Sequence, residues 1–201
     1  MDLPGLDVLV KEVPPGRIVL VEGGLDPSKS FLAEHVARRA ADRGRKVLFV
    51  TSRERDTILD RMALRGDLPT GVDVVALERW EDLGLPRTGD RDLVVDAFSY
   101  FMIGRDGADV ARSLRELRGY AHRSGCAALL TMERDMLPPE TVHVIGHLTD
   151  GVLQFHMREG DDGLQRFLRI PKWTHGEVFT HNIYYDFDGR RLLIDTRRRV
   201  N

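Results

Sequence analysis

The residues best suited to chemistry lie in one short stretch near the start of the chain, Glu22-Gly-Gly-Leu-Asp-Pro-Ser-Lys-Ser-Phe31. It follows the apolar run Ile18-Val-Leu-Val21 and precedes apolar residues at helical spacing. A strand, a glycine-rich turn, a Lys-Ser pair and a helix form the frame of a phosphate-binding loop, in which backbone N–H groups and the lysine hold phosphate oxygens. The pattern therefore predicts a nucleotide-binding site. Its predicted contacts with ATP are Gly23, Gly24, Lys29 and Ser30.

The same stretch departs from a working phosphate loop at three positions. Pro27 has no backbone N–H to offer, and Ser28 places a Cβ where glycine would let a phosphate approach closely. Asp26 adds a carboxylate beside the expected polyanion, and such like charges weaken binding by about 1–4 kcal/mol, roughly one to three decades in affinity. ATP binding is therefore expected to be weak or absent. The alternative is a loop that only connects a strand to a helix.

A second chemical signal is an apolar strand that ends in an acid, Leu93-Val-Val-Asp96, with Ser99 shortly after it. In phosphate-loop proteins an acid at such a strand end works with the hydroxyl of the loop to hold Mg²⁺. Ser30 and Asp96 are therefore the predicted magnesium ligands, on the condition that a nucleotide binds.

Strands and helices alternate around these residues. Continuous apolar runs predict strands over 18–21, 46–51, 72–77, 92–96 and 127–131, with helices over 28–43, 56–64 and 110–123. Apolar runs of this kind belong to strands that are buried on both faces, as in a parallel sheet covered by helices.

The pattern changes after a short predicted helix over 138–148. Apolar and polar residues then alternate over 151–156, 164–170, 178–187 and 191–195, which predicts an antiparallel meander that extends the sheet. The predicted fold class is therefore α/β, with a mostly parallel central sheet flanked by helices and a C-terminal antiparallel β meander. We expect residues 1–201 to form a single domain.

Composition limits the class of protein. The 201 residues are 42% hydrophobic and 31% charged, which is ordinary for a soluble globular protein. The net charge of −2 argues against a general nucleic-acid binder, and no apolar run reaches the about 18 residues of a membrane span. The single cysteine, Cys126, borders an apolar run, so we expect a buried structural thiol and a cytoplasmic protein.

Together these motifs resemble the KaiC-like branch of the RecA/RadA ATPases over nearly the whole chain. The matching segments, in chain order, are the Gly-Leu-Asp element at 5–7, the Pro-x-Gly turn at 14–16, the Walker A loop at 23–30 and the Walker B strand at 93–96. The resemblance implies a RecA-like fold, a P-loop for ATP and Mg²⁺, and a Walker A motif that has degenerated.

The resemblance also implies two catalytic roles, and both are altered here. The family's second strand ends in a pair of acids that prepare the attacking water. This chain has Arg53-Glu54, so Glu54 is the residual acid. The family's Lys-x-Arg finger reaches the γ-phosphate bound to a neighbouring subunit; here Lys172 is kept and Thr174 replaces the arginine. Because a transition-state arginine contributes about 10³–10⁵ in rate, the resemblance implies slow or absent hydrolysis.

Three functions stay open at this point. The first is a KaiC-like regulatory protein that binds ATP weakly, hydrolyses it poorly or not at all, and acts through a protein partner or as a homo-oligomer; some archaeal motility and signalling proteins of the family are of this type. The second is an active ATPase. The third is a pseudo-ATPase interaction module that binds no nucleotide. The net charge and the lack of a basic, glycine-rich loop argue against a nucleic-acid partner.

Overall fold

The computed structural model describes residues 1–10, 12–25, 28–64, 66, 69–85, 89–160, 163–174, 176–187 and 192–195. Strands and helices alternate through the first three quarters of the chain. They are β1 Ile18–Gly23, α1 Ser28–Asp42, β2 Lys46–Thr51, α2 Arg55–Ala63, β3 Val72–Ala76, β4 Arg91–Asp96, α3 Phe98–Phe101, α4 Gly107–Ser124, β5 Ala128–Glu133 and α5 Pro139–Leu148. Further strands follow: β6 Gly151–Gly160, β7 Gly163–Trp173, β8 Phe179–Phe187 and β9 Leu192–Ile194.

Within the described residues these strands form one nine-stranded sheet in the order β3-β2-β4-β5-β1-β6-β7-β8-β9. The first six strands in this order pair in parallel, and the last three pair antiparallel. The predicted α/β fold class, with its C-terminal antiparallel meander, is confirmed. One detail differs, because β6 was expected to open the meander and instead also lies parallel to β1, so that it joins the two parts of the sheet.

The apolar core lies on both faces of the sheet. Along β1, Ile18 and Leu20 belong to the cluster that includes Leu114 of α4, whereas Val19 and Val21 belong to the cluster that includes Val36 of α1. Successive side chains of a strand point to opposite faces, so a strand covered on both sides must be apolar throughout. This burial explains the continuous apolar run that precedes the phosphate loop.

The long helix α4 begins earlier than its apolar pattern predicted. Asp106 caps its start, since the Asp106 carboxylate accepts a hydrogen bond from the backbone N–H of Asp109 at 2.8 Å. Gly125 ends the helix with a left-handed φ of 61°, a conformation that glycine adopts without strain. In the described part of the chain, no helix has both the length and the apolar character that a membrane crossing needs.

The single cysteine is buried between α4 and β5. Cys126 is 1% exposed, and burial raises the pKa of its thiol above the ordinary value. The reactive thiolate is therefore scarce at neutral pH and poorly accessible. We expect a thiol-reactive dye to label the native protein more than about tenfold more slowly than the protein unfolded in denaturant. Equal labelling rates in the two states would contradict this burial.

Candidate functional site

The residues predicted to do chemistry meet at one edge of the sheet. Strands β1, β4 and β5 are parallel neighbours, and Gly23 at the end of β1 lies opposite Glu133 at the end of β5. Asp96 ends β4, and α1 begins at Ser28 directly after the phosphate loop. In open α/β sheets ligands bind at this carboxyl edge of the strands.

Ser30 and Asp96, the predicted magnesium ligands, are in direct contact. The Ser30 hydroxyl donates a hydrogen bond of 3.0 Å to Asp96 Oδ1, and the Thr131 hydroxyl donates one of 2.6 Å to the same oxygen. Asp96 is 1% exposed, and its other oxygen, Oδ2, is buried and accepts no hydrogen bond from the described residues. A buried carboxylate oxygen left without a donor is unfavourable unless something else compensates its charge.

Lys29 is buried at the same edge. Its side chain is 2% exposed, and its ammonium lies 3.1 Å from Oε2 of Glu133. The same ammonium donates a hydrogen bond to the carbonyl oxygen of Gly24. The lysine of the loop is thus engaged by groups of its own chain. Burial raises the pKa of the Glu133 carboxyl above its ordinary value, and the charge of Lys29 acts in the opposite direction.

The oxygen atoms present fit a magnesium ion. Mg²⁺ prefers oxygen ligands. Ser30 offers a hydroxyl oxygen, and Asp96 offers its Oδ2, which has no hydrogen-bond partner among the described residues. Lys29 lies 3.1 Å from Glu133, and the charge of Asp96 also acts on Glu133, so two carboxylates lie near the start of α1. Ser30 and Asp96 are therefore the residues that would hold the ion.

Ser28, at the loop position where the resemblance implies a glycine, has a structural role. Ser28 is 3% exposed, and the hydroxyl of Tyr185 in β8 donates a hydrogen bond of 3.3 Å to its Oγ. Phe187 of the same strand packs edge-on against Phe31. The C-terminal meander is thus fixed to the first turn of α1. Two of the predicted defects of the loop, at 26 and 27, lie outside the described residues.

The two glycines that follow the apolar run differ in their surroundings. A Cβ added to Gly23 would lie 2.6 Å from the backbone oxygen of Phe155, whereas one added to Gly24 would meet no atom within 4 Å. We therefore expect Gly23→Ala to lower the free energy of unfolding by about 1–3 kcal/mol. Gly24→Ala is the matched control, with an expected change below about 0.5 kcal/mol. Equal effects in denaturant unfolding would show that β6 does not pack against Gly23 in this way.

Arg53 and Glu54 follow β2, at the position where the resemblance implies a pair of acids. Both Arg53 and Glu54 are exposed. Glu54 stands at the N-cap of α2, where its side chain makes no capping hydrogen bond. Arg53 is close enough to Glu133 for its charge to lower the pKa of that carboxyl. A cation therefore acts on the site from the position where the resemblance implies an acid, and a guanidinium cannot take a proton from water.

Lys172 and Thr174 lie away from the phosphate loop of their own chain. Lys172 pairs with Val152, which in turn lies opposite Leu20, near the middle of β1 and two strands away. Strand geometry places Lys172 about 14 Å from the loop end of β1. The ammonium of Lys172 donates hydrogen bonds of 2.9 and 2.8 Å to the carbonyls of residues 146 and 147 in α5, and the Thr174 hydroxyl donates to the carbonyl of Asp150.

Two residues of the site, Thr131 and Glu133, are absent from the sequence-based prediction. The predicted fifth strand ended at Thr131, but β5 continues to Glu133. The sequence did hold a signal, since a polar hydroxyl and a carboxylate follow the apolar run of this strand. What the spacing could not indicate is that Glu133 lies beside Lys29, more than a hundred residues away in sequence.

Comparison with known proteins agrees with this architecture. The fold is similar to that of a KaiC-like protein from the hyperthermophilic archaeon Pyrococcus horikoshii OT3, with a TM-score of 0.76, 19% sequence identity and 96% of each chain covered. The predicted KaiC-like RecA fold is thereby confirmed, and at this identity the likeness concerns the fold alone. No curated protein matches the sequence. The model of a family of unknown function, DUF7125, matches residues 12–201, and the chain therefore belongs to this family.

Proposed function

We propose that this protein is a KaiC-like regulatory protein that binds Mg·ATP weakly and hydrolyses it slowly or not at all. It would act in the cytoplasm through a protein partner or through further copies of itself. The observation that carries this proposal is the buried cluster of Ser30, Thr131 and Asp96, in which one carboxylate oxygen has no partner among the described residues. A cluster with only a structural role would be expected to satisfy that oxygen.

Nucleotide binding is further supported by the position of Lys29 and Ser30 at the start of α1. The N-terminus of a helix carries about half a positive charge and presents free backbone N–H groups, which favours phosphate. When bound, Mg²⁺ supplies positive charge that offsets the charge of the phosphates. Ser30 and Asp96 would hold the ion, and Lys29 would orient and neutralise the phosphate chain.

Weak affinity follows from the contacts that the site already makes. Lys29 is paired with Glu133, so a phosphate has to replace an existing partner. Ser28 is fixed by Tyr185, and its Cβ occupies the loop where a glycine would leave room. Because the Lys29–Glu133 pair has to be replaced, we expect a dissociation constant for Mg·ATP of roughly 0.1–1 mM.

Slow hydrolysis follows from the side chains that would have to prepare water and stabilise the transition state. Arg53 stands in place of an acid, and Glu54 is exposed beyond the end of β2. Thr174 stands in place of the finger arginine, and Lys172 is bound to the end of α5. A site that binds a nucleotide without hydrolysing it is filled or empty according to the nucleotide concentration. A regulatory protein needs this property.

Calorimetric titration with Mg·ATP tests the proposal. We expect saturable binding by the wild type and none by Lys29→Met. Lys46→Met is the matched control, since Lys46 forms an exposed pair with Asp90 at 2.7 Å, and this variant should bind like the wild type. Absence of binding at several millimolar Mg·ATP would favour the pseudo-ATPase alternative. Phosphate release at about one per second would favour the active ATPase.

A further inference from the structure

We propose that Glu133 is a built-in competitor of the nucleotide. Its carboxylate holds Lys29 in the place that a phosphate would take, and a nucleotide binds by displacing it. The inference rests on the proposed function, because it concerns the regulation of the same site. The pairing of Glu133 with Lys29 would set the nucleotide concentration at which the site becomes occupied.

The fold positions Glu133 for this part. It ends β5 directly beside Gly23, the last residue of β1. Its backbone N–H donates a hydrogen bond of 3.0 Å to the hydroxyl of Ser99, which follows the Walker B strand. From there its side chain reaches the ammonium of Lys29 at 3.1 Å, with exposed fractions of 19% for the Glu133 side chain and 2% for that of Lys29. The pair is therefore largely shielded from water.

The start of α1 favours an anion beside Lys29. The N-terminus of a helix is positive, and Lys29 adds a further positive charge in its first turn. That turn contains no acidic residue. Glu133 places a carboxylate beside Lys29 from a different strand. The phosphates of a nucleotide supply negative charge at the same place in a phosphate loop.

A role in stability alone would not require this arrangement. A buried ion pair stabilises a fold little compared with apolar side chains of similar volume, because both charges lose water. The pair also lies at the carboxyl edge of the central strands, with Asp96 close enough that its charge acts on Glu133. The pair thus contributes little to folding. In the proposed mechanism it separates before a phosphate can reach Lys29.

The test compares Mg·ATP binding by the wild type, Glu133→Gln and Glu116→Gln. Glutamine keeps the length of the side chain but removes the charge that competes. We expect Glu133→Gln to bind about tenfold more tightly than the wild type, since one like charge near the phosphates is removed. Glu116 is exposed on α4, so Glu116→Gln should bind like the wild type. Inorganic tripolyphosphate should show the same gain, because the competition is for the phosphate group.

A double variant shows whether the effect passes through Lys29. Lys29→Met/Glu133→Gln should bind no more tightly than Lys29→Met, because the competitor then has nothing to occupy. Glu133→Ala also removes the charge and should also bind Mg·ATP more tightly than the wild type. Cooperative thermal unfolding verifies that each variant is folded.

The outcomes separate this inference from the proposed function. Measurable and equal binding by the wild type and Glu133→Gln would overturn the inference and leave the proposed function intact. Weaker binding by Glu133→Gln would also overturn it, since Glu133 would then assist the nucleotide. Absence of binding by every variant would overturn both. Binding by Glu133→Gln alone would support the competitor and contradict weak binding by the native protein.

Discussion

Replacing Asp96 by asparagine is expected to weaken Mg·ATP binding on the order of a hundredfold, while the free energy of unfolding stays within about 1 kcal/mol of the wild-type value. Asparagine retains a carbonyl oxygen that can accept the hydrogen bonds from Ser30 and Thr131. It removes the charge that would hold the magnesium ion. The gain from no longer burying a charge offsets the burial of an amide group.

Thermal unfolding with and without Mg·ATP measures both parts of this expectation. The wild type should become more stable as the ligand concentration rises, because the ligand binds the folded state, and Asp96→Asn should not respond. Asp73→Asn is the control, since Asp73 is exposed and forms a surface pair with Arg91. A loss of more than about 2 kcal/mol for Asp96→Asn without ligand would show that Asp96 stabilises the fold, and a response to Mg·ATP equal to that of the wild type would show that Asp96 holds no metal ion.

Replacing Lys29 by methionine is expected to lower the free energy of unfolding by about 3 kcal/mol, and adding Glu133→Gln should restore most of that loss. The single change leaves the carboxylate of Glu133 without its cation in a largely shielded place. The double change leaves neither charge. This double variant is also the better binding control, because it lacks the lysine and is expected to remain stable.

A double-mutant cycle from denaturant unfolding gives the coupling energy of the Lys29–Glu133 pair directly. The exposed pair of Lys46 and Asp90 serves as the reference, with an expected coupling below about 1 kcal/mol. If the coupling between Lys29 and Glu133 were no larger than that of the exposed pair, the two groups would not form a shielded ion pair. Glu133 would then not compete with a phosphate for Lys29.

The elements of this fold were readable from the sequence because burial leaves a direct trace in residue type. Strands covered on both faces, such as β1, are apolar throughout, and the predicted strand ends differ from the observed ones by a few residues. The extension of β5 to Glu133 was missed because its last residues are partly polar. Glu133 is polar because it lies at the candidate site, so the apolar pattern ends at the edge of that site.

The candidate site was only partly readable. Ser30 and Asp96 were predicted as a pair, and they are in contact. Glu133 was not predicted, because its partner lies on another element and no spacing along the chain connects them. Lys172 was assigned to a finger on the resemblance alone. Within the described chain it contacts the carbonyls near the end of α5, and its role toward a neighbouring subunit stays a prediction.

Equilibrium dialysis against Mg·ATP, followed by identification of the nucleotide on both sides of the membrane, tests whether the protein binds ATP without rapid hydrolysis. We expect an excess of nucleotide in the chamber that holds the wild-type protein, recovered mostly as ATP. No excess is expected with Lys29→Met/Glu133→Gln. Equal concentrations on both sides with the wild type would contradict the proposed nucleotide site, and conversion of the ATP to ADP at about one per second would contradict slow or absent hydrolysis.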